Sequence, residues 1–155
     1  MKLTRSDPAN WPLIRQVVVF DGDCGMCNQF VGWAIRWLRQ PDTGFLPSQS
    51  EAGQRWLSAN HREPEPTTLL LVRPDEIYER SDAVLELCAG MRAPVRWMHG
   101  LRWIPRSVRN LLYRGVARVR RALPFRKQIC QLDGDRQRLL LDNSSANWPQ
   151  WWRNP

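Results

Sequence analysis

Cys24-Gly25-Met26-Cys27 is the stretch of this sequence best equipped for chemistry. Cysteines three residues apart fall on one side of a helix, close enough for their sulfurs to reach disulfide distance. The pair follows the apolar run Val17-Val18-Val19-Phe20 and the turn residues Asp21-Gly22-Asp23. It is therefore expected at the start of the first helix. A helix start presents unpaired N–H groups and the positive end of the macrodipole, and both stabilise a thiolate. Cys24, in the first turn, reads as the exposed nucleophile. Cys27, one turn further in, reads as the shielded resolving thiol. Asp21 stands three residues before Cys24, where its carboxylate would oppose thiolate formation. It is placed either to relay the Cys27 proton or to shape the turn, and Asp23 is suited to cap the helix.

Three other chemistries use the same residues. A structural zinc site needs about four ligands, but Cys88, Cys130, His61 and His99 stand singly, without paired spacing. Two buried cysteines can also pack simply as small hydrophobes, although the Asp-Gly-Asp turn before them argues for a helix start. Finally, VVVFDGD looks like the first motif of haloacid-dehalogenase phosphatases, with Asp21 as nucleophile and Asp23 as general acid. That chemistry wants a hydroxyl residue where Cys24 stands. It also wants a central lysine, whereas the only lysines are Lys2 and Lys127. Asp75-Glu76 is the sole plausible acidic pair for magnesium. Dithiol exchange is the better reading, and no metal or organic cofactor is implied.

The elements that must position this pair follow from pattern. Val17–Phe20 is a β-branched, apolar, buried strand. Cys27, Phe30, Val31, Ala34, Trp37 and Leu38 have the spacing of one helix face, and Pro41 stops that helix. Phe45-Leu46 is a second strand candidate. Ser48–Ala59 reads as a second helix with Ser48 and Glu51 in capping-box spacing. After the proline-rich 63–66 linker, Thr67–Val72 and Glu76–Glu79 form a hairpin about Pro74-Asp75. Ser81 or Asp82 caps a third helix running to Ala89 and ended by Gly90. Pro105 opens a fourth helix, with Val108, Leu111, Leu112, Val116, Val119 and Leu123 along one side and arginines on the rest. The order β-α-β-α-β-β-α is that of the α/β thioredoxin-like fold, here with an additional arginine-rich C-terminal helix.

Composition and charge bound the rest. With 155 residues, 43% apolar and 25% charged, the chain reads as one soluble domain. Residues 16–90 form its core, 91–141 a basic helical extension, and 142–155 an irregular tail whose tryptophans dock on the body. The longest apolar runs are far short of the 18 or so residues of a membrane span, and the first residues lack a signal peptide's apolar stretch. Four cysteines are too few for a disulfide scaffold, so a reducing cytoplasmic setting is expected. The charge is uneven: residues 87–132 hold 11 basic side chains and no acidic one. Such a block attracts anions. A weak anionic partner for the 92–127 segment is thus one expectation, and an arginine-rich solvated helix face is the simpler one. The alternative function is a non-enzymatic interaction module, with the dithiol as a redox switch.

These residues resemble a known family. FDGDCGMC is similar to the Asp-Gly-x-Cys-x-x-Cys signature of the DCC family of predicted thiol-disulfide oxidoreductases, which includes YuxK-like proteins. PSQSEAGQRWL, YERSDAVLEL and WIPRSVRNLLYRGVARVRR resemble further stretches of that family, so the likeness covers roughly residues 16–123. It implies a thioredoxin-like fold, redox activity at Cys24 and Cys27, and a disulfide-containing protein or small thiol as substrate. No tryptophan precedes Cys24, unlike ordinary thioredoxins. In thioredoxin-like proteins a cis-proline before the third strand faces the dithiol, and Pro66-Thr67 occupies that place. Ser81-Asp82, at a helix start, offers backbone N–H groups to a glutathione-like carboxylate, or simply caps the helix. Cys88 shares an apolar side with Val84 and Leu87 and is expected in the core.

Overall fold

The apolar run of the first strand lies in β1, Gln16–Phe20, of a computed structural model that describes residues 14–62, 68–122, 139–141 and 152. All five β1 residues are buried. Successive strand residues point to opposite faces, so this strand is covered on both. It is flanked on both edges as well. β2, Thr43–Pro47, runs parallel to it with Val18 opposite Phe45. β3, Leu70–Val72, runs antiparallel with Val18 opposite Leu71. β4, Ile77–Glu79, pairs antiparallel with β3 and closes the order β2-β1-β3-β4.

A parallel pair needs a long crossover, and α1, Gly25–Trp37, supplies the one between β1 and β2. The other helices are α2, Glu51–Ala59, α3, Arg80–Ala89, and α4, Arg106–Ala122. The chain order β1-α1-β2-α2-β3-β4-α3 is thioredoxin-like, as the sequence predicts. One core joins the strands to Val31, Ala34 and Ile35 of α1, Trp56 and Leu57 of α2, and Leu87 and Cys88 of α3. Full burial contributes about 1.5–3 kcal/mol for each such large side chain. Burial also pushes the Cys88 thiol up, which keeps it protonated and inert, the core role expected of it.

Three helix starts differ from expectation, each for a local reason. The cap of α1 is Cys24, not Asp23; Asp23 belongs to the turn before it, where its N–H donates to Asp21 Oδ1. α2 starts after Ser50, not Ser48. The Ser48 N–H donates to Phe20 O at 2.8 Å and prolongs the strand pairing, while Ser50 Oγ accepts from Gly53 N–H at 3.1 Å. Gly53 is required there, since a Cβ would stand 2.5 Å from Pro47 O. α3 is capped by Glu79 without a side-chain bond, because Ser81 and Asp82 turn their side chains to α4.

That fourth helix is attached by polar groups. Arg109, buried, donates to Asp82 Oδ1 at 2.6 Å and to Ile104 O at 3.0 Å. Ser81 Oγ donates to Asn110 Oδ1 at 2.9 Å, and Arg106 pairs with Asp82 Oδ2 at 2.8 Å. A 3₁₀ segment, Val95–Trp103, precedes α4 and has no counterpart in the sequence reading. Its Arg102 and His99 meet the buried Glu86 of α3, which Arg73 also reaches. Further along the expected helical extension, Leu139–Leu141 lies outside any helix and bonds both ways to Phe45, adding a rung to the β2 edge. Trp152 stacks on Trp56 with ring centroids 4.9 Å apart, so this tail tryptophan docks on the body as expected. No helix among the described residues is long and apolar enough to cross a membrane.

Candidate redox site

The site begins where β1 ends. Asp21 Oδ1 accepts the Asp23 N–H at 3.0 Å, the side-chain turn that aspartate forms readily. The same oxygen accepts from Gln49 Nε2 at 2.8 Å, and Gln49 Oε1 accepts the Gly22 N–H at 2.9 Å. Gln49, just past β2, thus clasps the turn from the neighbouring strand. Gly22 fits because the clasp is close: a Cβ would lie 3.0 Å from both Gln49 Oε1 and Pro47 Cβ. Asn28 Nδ2 donates to Gly22 O at 2.7 Å and ties the turn to the first turn of α1. The Cys24 N–H donates to Asp21 O at 3.3 Å and Cys24 O accepts from Asn28 N–H at 3.0 Å.

This scaffold puts Cys24 at the N-cap of α1 with an extended backbone and no side-chain capping bond. Its sulfur therefore belongs to the helix end whose first N–H groups lack helical acceptors, the setting in which a thiolate is stabilised. Cys27 sits one turn on. Both cysteines are half-buried, so the expected contrast lies in their surroundings rather than in exposure class. Cys27 packs against the core and lines a cleft of about 330 Å³. The cleft walls are almost wholly apolar, with Phe20, Met26, Phe30 and Leu69 beside Cys27 and with Asp21 on the wall as well.

The far wall of the cleft comes from α4, through Tyr113 and Val116. Tyr113 holds its place by accepting the Leu69 N–H at 3.1 Å and the Thr68 hydroxyl at 3.2 Å. The sequence reading missed this tyrosine, Gln49 and Asn28; a lone aromatic hydroxyl in an arginine-rich helix was the one signal for Tyr113. Of the residues singled out from sequence, Asp21 and Cys27 share the cleft and Cys24 adjoins it in the chain. Ser81 and Asp82 are engaged with Asn110, Arg106 and Arg109 instead. Pro66 and Thr67 lie outside the described residues, as do Cys130 and Leu123. Among the described residues no group of three or more His, Cys, Asp or Glu side chains is arranged to hold a metal ion.

With this geometry in place, comparison with known proteins is specific. The family model for DCC1-like thiol-disulfide oxidoreductases matches residues 18–126. A chloroplastic DCC family protein of Arabidopsis thaliana is 33% identical over 120 residues, covering 76% of this chain and 70% of that protein. The uncharacterized protein YuxK of Bacillus subtilis is 28% identical over 120 residues, covering 76% of this chain and 86% of its own. No solved structure gives a significant match.

Proposed function

This chain belongs to the DCC1-like thiol-disulfide oxidoreductase family, and we propose that it passes two electrons from its Cys24–Cys27 dithiol to the disulfide of a protein or small-molecule substrate. The Cys24 thiolate attacks one substrate sulfur; a mixed disulfide forms and the other substrate sulfur leaves as a thiolate. Cys27 then gives up its proton and attacks the Cys24 sulfur. The second substrate sulfur departs, the Cys27 proton passes to a leaving thiolate, and the protein is left with a Cys24–Cys27 disulfide. Two external thiols, or one dithiol, return it to the dithiol by the reverse exchange and leave as a disulfide, and no organic cofactor takes part.

The observation that carries this reading is the placement of Cys24 at a helix N-cap with Cys27 behind it on an apolar cleft. The cleft favours substrates with an apolar group beside the disulfide, since burying it there removes apolar area from water. Asp21, on the cleft wall, is the proposed relay for the Cys27 proton, in addition to its part in the turn. Pro66 and Thr67 directly precede Thr68, which lines the cleft, and are the proposed substrate-facing backbone. Ser81 and Asp82 serve the site indirectly, by fixing α4 and with it the Tyr113–Val116 wall. The reading places the protein in a reducing compartment, the cytoplasm.

The test is trapping. Cys27→Ser should accumulate a mixed disulfide with a model disulfide substrate, and Cys24→Ser should accumulate none. Faster iodoacetamide alkylation of Cys27 than of Cys24 in the native protein would reverse the assigned roles.

A further inference from the structure

The large apolar residues described in α4 do not enter the core. Leu111, Leu112 and Val119 are each more than half exposed, and Val108 nearly so. At 100° per residue these four fall in one stripe. Arg109 and Tyr113, the residues that tie α4 to the body, lie on a different side of the same helix. α4 is thus held by polar bonds and presents an apolar stripe outward, bordered by the exposed Arg114 and Arg118. In the preceding 3₁₀ segment Trp97 is 75% exposed and Trp103 is 94% exposed. Arg92, Arg96, Arg114 and Arg118 have no ion-pair partner among the described residues.

We propose that this face docks on the surface of an anionic lipid bilayer, with α4 lying in the interface plane. This goes beyond dithiol exchange and does not depend on it. A cationic amphipathic helix with an apolar stripe has the composition of an interfacial element, and tryptophan favours the zone between headgroup and acyl chain. Charge complementarity selects the lipid. With Arg92, Arg96, Arg114 and Arg118 exposed and no acidic side chain in the sequence from 87 to 132, the surface matches anionic headgroups, each arginine near them adding to the attraction. A nucleic acid would satisfy the arginines but leave the leucine stripe in water. A second copy packed on the same stripe would bring like charges together, because a two-fold contact opposes a patch to itself.

Flotation of the full-length protein with vesicles tests this. Binding to phosphatidylglycerol-containing vesicles should exceed that to pure phosphatidylcholine by about tenfold or more at low salt, and should fall as salt rises. Leu111→Ser/Leu112→Ser should weaken it by a similar factor, while Cys24 alkylation, which reports an intact redox site, stays unchanged. Should that variant fail to fold, brominated phosphatidylglycerol provides the second readout: it should quench the native protein more than Trp103→Phe. Equal flotation with both vesicle types, or none with either, overturns the proposal. So does a concentration-dependent dimer that the leucine changes dissociate, or a DNA or RNA mobility shift in place of flotation.

Discussion

Replacing Asp82 with alanine tests whether charge, rather than apolar packing, holds α4 to the body. Asp82 takes 2.6 Å and 2.8 Å contacts from Arg109 and Arg106, but the two are unequal. The Arg109 side chain is 8% exposed and that of Arg106 is 76% exposed. An ion pair at the surface contributes about 0–1 kcal/mol. A buried cation stripped of its counter-charge costs about 3–5 kcal/mol. Asp82 keeps some solvent contact, and Arg109 would retain its bond to Ile104 O, so the cost falls at or just below the low end. We expect about 2–3 kcal/mol for Asp82→Ala and less than about 1 kcal/mol for Arg106→Ala. At roughly 2–4 °C per kcal/mol for a chain of this length, the Asp82 change lowers the melting midpoint by about 4–12 °C.

The pH dependence gives an independent check. Burial pushes the Asp82 carboxyl up, but the hydrogen bond and charge of Arg109, with Arg106 behind them, outweigh it and leave the group below its ordinary value. A depressed carboxyl contributes stability above its unfolded value, about 3.9 for aspartate, and loses it as pH falls through the folded one. The gap between native protein and Asp82→Ala, measured by urea unfolding, should be full at neutral pH and close below about pH 4. Because Tyr113 and Val116 ride on α4, exchange with an apolar disulfide should slow as well. A gap under about 0.5 kcal/mol at neutral pH, or one that persists unchanged into strong acid, would refute charge as the anchor.

Tyr113→Phe leaves the buried Leu69 N–H without its acceptor and should cost about 1–2 kcal/mol in denaturant unfolding; a neutral effect would mean that another acceptor takes over. Gly53→Ala forces a Cβ against Pro47 O and should destabilise by about 1–3 kcal/mol, despite alanine's better helix propensity, so a stabilised variant would contradict the close approach. Asp21→Asn keeps the turn's acceptor oxygen but removes a negative charge near the thiols. It should speed iodoacetamide alkylation of Cys24 near neutral pH while slowing release of the mixed disulfide. An alkylation profile identical to the native one would confine Asp21 to shaping the turn.

The first strand and the cysteine pair were legible because their signals are local. A four-residue apolar run next to Asp-Gly-Asp can hardly be anything but a buried strand and a turn, and the cysteine spacing needs only a helix start. The caps were less legible because each competes with a partner set by the fold. Asp21 captures the Asp23 N–H and is in turn held by Gln49, 28 residues away, which no window on the sequence contains. Ser48 is drawn into the strand ladder by Phe20 O, and Asp82 turns to Arg109 instead of to its own helix. For Ser48 and Asp82 a long-range hydrogen bond overrode a short-range propensity, and at Asp23 a local bond did so with a long-range partner holding its acceptor.

The fourth helix carries that argument furthest. Apolar residues at helical spacing ordinarily mark the side that faces a core, and by that rule Val108, Leu112 and Val119 should be its buried side. The body-facing side is instead chosen by what α3 offers. Ser81 and Asp82 present a hydroxyl and a carboxylate at the helix start, and these select Asn110 and Arg109. Tyr113, one turn on from Arg109, then falls against Thr68 and Leu69 and completes the cleft beside Cys27. Once those residues face inward, geometry turns the leucine stripe outward, since one helix cannot present both sides to the same neighbour. The contacts that build the wall of the redox cleft are thus the same ones that expose an apolar, arginine-bordered surface. Weakening the Asp82–Arg109 tie should disturb both together.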